Sequence, residues 1–437
     1  MHQISSIFSS KIKKSISILL LGIMIFYGIL FLQRATIRDS SGFKYRPFFE
    51  EDTNYDVLFF GTSHVINAIF PMQLWKDYGI TSYNFGGHGN TIATTYWTMV
   101  NAIEYHKPKI AVLDVLWAGD NLSKMDVSNA HLSFDAFPLT KTKIAAVRDI
   151  YPDDKMAQFE LLFPLSVYHN RWKEMTPEML KAGLNIHTMH SKEKGAESRI
   201  KVAIPAEMRR VKENQQLDTE TIGMQYIQKF ITFCKEHDIV PIIINIPFPA
   251  EEELQVASNT AISLAKKQNV GTINFPYLNL VDFDIDCYDS NSHLNPSGAK
   301  KITDYIGNYL KKNYNLEDHR LEPKYKCWND DYKEYYSYLA ENIKKRDDYK
   351  ELLMLSNNEN FKIELEFTKE YVPDFVETKL IAQLGENIEL KRKTLIATNK
   401  GEKGTVRITI RNSDTDESVV SKVYVQNRIL TLLKDNN

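Results

Sequence analysis

Short apolar segments alternate with helical stretches through the central part of this chain, a pattern that few folds can accommodate. Residues 57–60 are Val-Leu-Phe-Phe, which is typical of a strand buried on both faces. Helical periodicity appears where Met224, Ile227, Ile231 and Cys234 share one face. The five strand segments are residues 57–60, 82–85, 110–116, 239–246 and 270–275. Because strands alternate with helices, the sequence predicts an α/β fold in which helices flank a parallel sheet.

Composition excludes several other classes of protein. The 437 residues are 43% hydrophobic and 25% charged, which fits a globular protein with a sizeable core and not a disordered or collagen-like chain. The formal net charge of −2 gives no basic field for binding nucleic acid. Three cysteines are too few for a disulfide framework or a four-thiolate zinc site.

An uncharged apolar run near the N-terminus predicts a membrane anchor. Residues 16–32 form a segment of 17 residues, close to the shortest length that spans a bilayer. Lys11, Lys13 and Lys14 precede it, and this bias favours a cytoplasmic N-terminus with the main domain outside. We therefore expect residues 1–14 to lie in the cytoplasm and residues 15–33 to form a single transmembrane helix in the cell membrane.

A cleaved signal peptide is the alternative interpretation of the same run. Signal peptides usually have apolar regions of about 7–15 residues that end in small side chains. This run is longer and ends in Phe31, Leu32, Gln33 and Arg34. These features favour an anchor that is retained.

The remaining chain divides by pattern into three parts. Residues 34–54 are predicted to be a polar stalk, and residues 55–317 an α/β domain with an insertion at about residues 119–217. Residues 318–437 are predicted to form a helix and a small antiparallel β module. The strands expected in that module are residues 361–367, 379–383, 387–398, 405–410 and 419–426.

Three polar segments follow predicted strands, where the ligands of parallel sheets bind. Gly-Thr-Ser-His at residues 61–64 places Ser63 on a tight turn between a strand and a helix. The glycine-rich segment at residues 84–91 allows close approach of the backbone, so that an N–H can point into the same cleft. The segment at residues 289–296 carries His293 and an acidic residue that could orient it as a base for a serine.

Together these segments resemble the SGNH/GDSL hydrolase superfamily over roughly residues 55–314. The resemblance implies a flavodoxin-like sheet, with Ser63 as the nucleophile and His293 as the general base. It also implies that the backbone N–H groups of Ser63 and Gly86 bind the oxyanion, if the spacing Asn84-x-Gly86-x-x-Gly89 is aligned with that of the family. No cofactor and no metal are implied.

The sequence departs from the family pattern at two places. The family acid usually lies three residues before the histidine, where this chain has Ser290. Asp289 lies four residues before it and is predicted to be the acid, with Asp286 as the reserve. No asparagine of the third block is recognisable in residues 113–120, and Asn90 is the conceivable substitute.

The anchor, the Gly-Thr-Ser-His turn and the large insertion resemble one membrane-anchored branch of the superfamily. Its members help to O-acylate envelope polymers, as the bacterial alginate acetylation proteins and the D-alanine transfer protein of teichoic acids do beside a membrane-bound O-acyltransferase. The resemblance implies a serine-dependent O-acyltransferase that acts on a cell-envelope polysaccharide. An esterase that deacylates such glycans, or a non-catalytic scaffold for the membrane-bound acyltransferase, is the alternative.

Four further residues are weaker candidates for binding substrate. His64 could line the cleft or simply cap the turn that carries Ser63. His169, Arg171 and Trp172 would suit an acidic or sugar substrate by charge and stacking, although a packed surface cluster explains them equally well. His187 and His190 lack a convincing third ligand, so no metal site is predicted there.

Overall fold

A computed structural model gives the structure of residues 2–51, 53–184, 191–205, 209–247, 251–291, 293–368, 371–385, 388–392 and 404–425. Five parallel strands form the central sheet, in the order β2-β1-β3-β4-β5. The strands are β1 (Val57–Gly61), β2 (Ser82–Gly86), β3 (Ile110–Asp114), β4 (Val240–Asn245) and β5 (Gly271–Asn274). This order is that of the flavodoxin-like doubly wound folds, and the predicted fold class is confirmed.

Helices cover both faces of this sheet and form most of the insertion. The first group is α1 (His2–Thr36), α2 (Asp39–Glu50), α3 (Ser63–Ala68), α4 (Pro71–Tyr78), α5 (Ile92–Ile103), α6 (Val127–Phe134), α7 (Lys141–Ile150) and α8 (Lys155–Leu162). The second group is α9 (Leu165–Tyr168), α10 (Pro177–Gly183), α11 (Ile222–Glu236), α12 (Glu252–Lys267), α13 (Pro296–Asn313), α14 (Lys326–Lys345), α15 (Tyr349–Ser356) and α16 (Phe375–Gln383). Helices α6 to α10 lie within the insertion between β3 and β4.

Strand β1 lies between β2 and β3 in the sheet. Its side chains alternate between two cores, with Leu58 and Phe60 in one and Val57 and Phe59 in the other. All four are fully buried, which explains why the segment is apolar without interruption. The strand therefore delivers its carboxyl end, and the turn that follows it, in a fixed position.

The prediction of a polar stalk over residues 34–54 is wrong for helix α2. Tyr45 and Phe48 of that helix are buried, and the Phe48 ring packs edge-on against Phe85 of β2 with centroids 4.6 Å apart. The Tyr45 hydroxyl also donates to the Gly86 carbonyl at 2.9 Å. These two buried aromatic side chains hold the helix on the domain, because burial of each ring removes a large apolar area from water.

The C-terminal module is built on a second sheet. Strands β6 (Phe361–Phe367), β8 (Thr405–Asn412) and β9 (Ser418–Val425) are antiparallel, and β7 (Ile388–Arg392) runs parallel to β6 at the edge. The strand predicted at residues 379–383 is wrong, because these residues belong to helix α16. Asp374 and Glu377 form a capping box that starts this helix, and such a box stabilises helix over strand. Residues 387 and 393–398 of the predicted third strand, 387–398, lie outside the described residues.

Helix α1 has the properties required of a membrane-spanning segment. Within the described residues, one helical stretch, Ile12–Thr36, is long and apolar enough to cross a bilayer, with a mean hydropathy of 2.5. None of its most apolar window is buried against the rest of the protein.

Candidate active site

The turn after β1 fixes the position of Ser63. A Cβ atom on Gly61 would lie 2.4 Å from Val65 Cγ2 and 2.9 Å from Asp114 Cβ, so the close approach of these segments requires glycine. Thr62 caps helix α3 by accepting a hydrogen bond from the His64 N–H. Ser63 is consequently the first residue of α3, where a backbone N–H has no partner within the helix.

Ser63, His293 and Asp289 form a continuous chain of hydrogen bonds. Ser63 Oγ lies 2.7 Å from His293 Nε2, and His293 Nδ1 lies 2.8 Å from Asp289 Oδ2. The second carboxylate oxygen of Asp289 accepts the backbone N–H groups of Asn291 and His293, at 3.0 and 3.2 Å. This turn absorbs the extra residue between acid and histidine, and the three side chains have the geometry of a nucleophile, a base and an orienting acid.

Asp286, the reserve acid, is occupied elsewhere. Its Oδ2 atom pairs with Lys301 Nζ at 2.5 Å and accepts the Asp282 N–H at 2.7 Å. We call residues 282–295 the histidine loop. Asp286 belongs to this loop, and its side chain is fully buried. Asp286 therefore shapes this loop, whereas Asp289 contacts the imidazole.

The C-terminal module also holds the histidine loop. Lys379 of α16 pairs with Asp282 at 2.8 Å and with Asp284 at 2.6 Å. Gln383, one turn later, accepts a hydrogen bond from Ser297 at the start of α13. Helix α16 thus contacts both ends of the segment that carries His293.

A segment of the insertion borders the same cleft. We call residues 191–203 the strap. Its Lys194 carbonyl accepts the N–H of Asn84 in β2 at 2.9 Å, and its Glu197 N–H donates to the Ile66 carbonyl of α3 at 3.1 Å. The strap therefore runs from the edge of the sheet along the helix that begins with Ser63.

The far end of the strap reaches the histidine loop. The Ala203 N–H donates to the Cys287 carbonyl at 2.9 Å. The Asn295 side chain donates to the Lys201 carbonyl at 3.0 Å, as well as to Ile285 within the loop. The insertion thereby links the helix of the serine to the loop of the histidine.

Gly86 does not offer a free N–H group, contrary to the prediction of an oxyanion donor there. Its N–H donates to the side-chain oxygen of Asn84 at 2.9 Å, in a local turn that asparagine forms readily. The amide nitrogen of Asn84 donates in turn to the Val65 and Ile69 carbonyls. Asn84 therefore ties the glycine-rich segment to α3.

Asn90 is likewise placed as a support and not at an open position. It is fully buried, and its side-chain nitrogen lies 3.4 Å from the Gly61 carbonyl. Its side-chain oxygen accepts the Ser133 hydroxyl at 2.8 Å. The structure thus does not leave Asn90 open to the cleft as the predicted oxyanion donor.

Gly89 has an exposed backbone N–H in this segment, and sequence reasoning did not single it out as a donor. The Gly87 N–H donates to the Gly61 carbonyl at 3.0 Å, which holds the loop against the serine turn. Gly89 is exposed with φ of +65°, and its N–H has no hydrogen-bond partner among the described residues. The second glycine of the Asn84-x-Gly86-x-x-Gly89 spacing is the sequence signal that could have identified Gly89 as a candidate donor.

The end of β3, where the third-block asparagine is missing, carries a buried acid. Asp114 accepts the Ile246 N–H at 3.0 Å and so joins the ends of β3 and β4. Burial raises the pKa of this carboxyl to about 7. The buried carboxyl group therefore has a structural position at the carboxyl ends of β3 and β4.

His64 faces His293 and does not line the cleft. The two rings stack with centroids 4.5 Å apart and an angle of 19° between them. His64 Nε2 lies 3.1 Å from the Asn291 carbonyl, and its Nδ1 lies 3.4 Å from Thr62 Oγ1. Only 6% of the residue is exposed, so it packs behind His293 and its loop and is not open to the cleft.

Acid should destabilise the protein through His64. Burial, followed by repulsion from His293, lowers the pKa of the folded His64 to about 3, below the roughly 6.5 of an unfolded chain. The unfolded state then binds the proton more tightly, so the free energy of unfolding falls as the pH drops from about 6.5 towards 3, by on the order of 4 kcal/mol.

Thermal unfolding of wild type and His64→Gln between pH 4 and 8 measures this effect. We expect the melting temperature of wild type to fall more steeply below pH 6.5 than that of His64→Gln, with the exposed His237→Gln as the control. Parallel curves for all three proteins would contradict the assignment.

His169, Arg171 and Trp172 lie at the end of α1 and are not joined to the triad. They form a 3-10 turn, His169–Glu174, in which Arg171 donates to the Thr36 and Ile37 carbonyls at 2.7 and 2.6 Å. A guanidinium satisfies the unpaired carbonyls at a helix C-terminus well. The prediction of a substrate site there is not supported, and His187 and His190 lie outside the described residues.

A polar rim on the strap is a further feature that the sequence did not reveal. Glu197 lies 3.5 Å from His88 of the glycine-rich segment and 2.9 Å from Arg199. Arg199 lies over the ring of Tyr288, the residue before Asp289, at 5.9 Å. Burial would raise the pKa of Glu197, but the His88 hydrogen bond and the nearby Lys44 and Arg199 charges lower it to about 2.

Comparison with known proteins finds distant similarity to solved structures. No protein-family model and no curated protein matches this chain. A solved structure from Desulfitobacterium hafniense DCB-2, assigned to the G-D-S-L family of lipolytic proteins, is similar at 13% identity and a TM-score of 0.31. The alignment covers 59% of this chain and 100% of that chain. We draw no functional conclusion from a similarity this low.

Proposed function

We propose that this protein is a membrane-anchored, extracytoplasmic O-acyltransferase of SGNH type that modifies a cell-envelope polysaccharide through a serine acyl-enzyme. The hydrogen-bonded chain from Ser63 through His293 to Asp289 carries the proposal. The positions of these residues in the sequence, at the ends of the first and last strand segments, agree with the resemblance to the SGNH superfamily.

In the first half of the reaction, Ser63 Oγ attacks the carbonyl carbon of an acyl donor. His293 Nε2 accepts the hydroxyl proton, and Asp289 stabilises the imidazolium that forms. The tetrahedral intermediate then expels the donor alcohol, which takes the proton from His293. The acyl group remains on Ser63 as an ester.

In the second half, a sugar hydroxyl gives its proton to His293 and attacks the acyl-enzyme. Collapse of the second intermediate transfers the acyl group to the sugar and returns the proton to Ser63. The N–H groups of Ser63 and Gly89 would bind the oxyanion in both halves, and each such donor typically contributes about 10²–10³-fold to the rate. The rim of His88, Glu197 and Arg199 offers hydrogen-bonding groups for a polyhydroxylated acceptor.

Hydrolysis is the second candidate function, and solvent access favours it. The side chains of His293 and Asp289 are 19% and 32% exposed, so water can approach the acyl-enzyme. An esterase that deacylates glycans would use the same residues with water as the acceptor. A purely structural scaffold, the third interpretation, would have no need for three aligned catalytic groups.

Labelling with a fluorophosphonate tests the shared chemistry. The full-length protein in detergent should form a single adduct on Ser63, detected by intact mass and peptide mapping. Ser337→Ala, at an exposed position of α14, should label normally. Absence of an adduct on the folded protein would reject both enzymatic functions and favour the scaffold.

Acceptor dependence separates transfer from hydrolysis. A chromogenic acetate ester and an envelope oligosaccharide are incubated together with the full-length protein, and the products are analysed by mass spectrometry. Transfer requires acetylated oligosaccharide in amounts that match the alcohol released. Free acetate alone would reject the transferase and leave the esterase.

A further inference from the structure

Part of the insertion wraps the C-terminal end of helix α1. We call residues 155–184 the collar; it contains α8, α9, the His169–Glu174 turn and α10. A Cβ atom on Gly183 of α10 would lie 2.6 Å from the Phe31 ring, so the two helices touch through backbone. Arg171 of the collar also holds the last carbonyls of α1, those of Thr36 and Ile37.

The collar begins where the apolar surface of α1 ends. Residues 12–29 of the helix are exposed on all sides, residues 30–33 are partly covered, and Ala35 to Ile37 are buried. The anchor therefore leaves the membrane within the collar, if α1 spans the bilayer as proposed. The collar must then lie at the level of the lipid headgroups.

Large apolar side chains of the collar are exposed around this exit point. Leu180 and Leu184 flank the Gly183 contact with α1, and they are 44% and 64% exposed. Trp172, at 58%, lies in the turn that binds the end of α1. The other members of the exposed set are Met156, Phe159 and Val167. These side chains come from four separate elements, and three of those elements, α9, the His169–Glu174 turn and α10, contact α1 directly.

The length of the anchor favours lipid as the occupant of this surface. The helical stretch Ile12–Thr36 is long enough to cross a bilayer, but its uncharged apolar run is only 17 residues, about 25 Å at 1.5 Å per residue, whereas the hydrocarbon core is about 30 Å thick. A span that is too short draws the flanking protein into the interface or thins the bilayer. Apolar side chains at the collar compensate for the missing length.

The chemistry of the collar agrees with this position. The exposed ring of Trp172 has the Lys173 ammonium 6.0 Å from its centroid. Aromatic rings with neighbouring cations are characteristic of the membrane–water interface, where the ring is amphipathic and the long cationic side chain extends to the headgroups.

We propose that the collar is an interfacial membrane-binding surface, whose exposed apolar side chains enter the boundary between headgroups and acyl chains around α1. This inference rests on the proposed membrane anchoring and adds a second contact with the same bilayer. The insertion thereby holds the α/β domain against the membrane instead of leaving it on a flexible tether.

Site-specific fluorescence in vesicles tests the proposal. The full-length protein carries Cys327→Ser, and one cysteine at a time is introduced and labelled with an environment-sensitive NBD fluorophore. The variants are Leu184→Cys and Leu180→Cys in the collar, Tyr27→Cys in α1 and Leu321→Cys, a 95% exposed position between α13 and α14. The protein is reconstituted into phosphatidylcholine vesicles with and without brominated acyl chains, which quench only fluorophores in contact with lipid.

We expect the two collar probes to be blue-shifted and quenched, as the Tyr27 probe is, while the Leu321 probe is neither. Collar probes that behave like Leu321 while the Tyr27 probe is quenched would overturn the inference and leave the anchor intact. That result would also be obtained if a membrane protein, absent from these vesicles, covers the collar in cells. No quenching at Tyr27 would reject the anchoring itself.

Discussion

Replacing Ser63 with alanine should lower the turnover of a chromogenic acetate ester by on the order of 10⁶-fold, as loss of the nucleophile does in serine hydrolases. The variant keeps the backbone N–H of residue 63, the Thr62 cap and the packing of α3, and it loses Ser63 Oγ, the atom that contacts His293 Nε2. Any remaining rate would come from oxyanion binding and substrate positioning. Steady-state kinetics of the purified full-length protein measure the change.

Ser337→Ala is the matched control for this substitution. It removes an exposed hydroxyl that donates only to the Lys333 carbonyl within α14, and its turnover should equal that of wild type. Melting temperatures of both variants establish that they are folded. Activity of Ser63→Ala within tenfold of wild type would mean that another group is the nucleophile.

Replacing Asp289 with asparagine should lower turnover by about 10⁴-fold, the size seen when the orienting acid of a serine triad becomes an amide. The carboxylate accepts the proton of His293 Nδ1, which leaves Nε2 unprotonated and able to take the Ser63 proton. An amide nitrogen at the same place donates to Nδ1 instead. The imidazole then carries its proton on Nε2, and it can no longer act as the base.

Asp284→Asn is the control for charge and loop structure. Asp284 lies in the same histidine loop and pairs with Lys379, but it does not contact His293. We expect this variant to lose at most a small part of the activity. Equal losses in Asp284→Asn and Asp289→Asn would indicate disturbance of the loop and contradict a specific role for Asp289.

The sequence was a good guide wherever local pattern and chain direction determine structure. Uninterrupted apolar runs predicted the buried strands, and parallel strands place their carboxyl ends at one edge. This edge is where the turn of Ser63 and the loop of His293 both begin, so the sequence could predict that the two residues lie on the same side of the sheet. The position of Asp289 depended only on a turn of one extra residue, which a short loop accommodates.

The errors came from interactions that a linear pattern does not contain. Gly86 has the expected spacing, but the neighbouring Asn84 side chain captures its N–H. Helix α2 is polar in composition, yet Phe48 packs it onto the sheet. His64 was expected either to line the cleft or to cap the turn, and only the folded structure reveals its stacking on His293. For α2 and His64 a tertiary contact decides the outcome, and for Gly86 a side chain two residues away does.

The ion pairs of Lys379 with Asp282 and Asp284 have a consequence for the order in which the candidate active site assembles during synthesis. Ser63 is near the start of the chain, whereas the lysine that braces the histidine loop is near its end. Since domains fold progressively as the N-terminal portion leaves the ribosome first, the nucleophile turn exists before its base has final support. A nascent or C-terminally truncated chain would therefore display the serine without a firmly held imidazole. If Ser63 is the nucleophile as proposed, full reactivity would require the chain to be present and folded through helix α16.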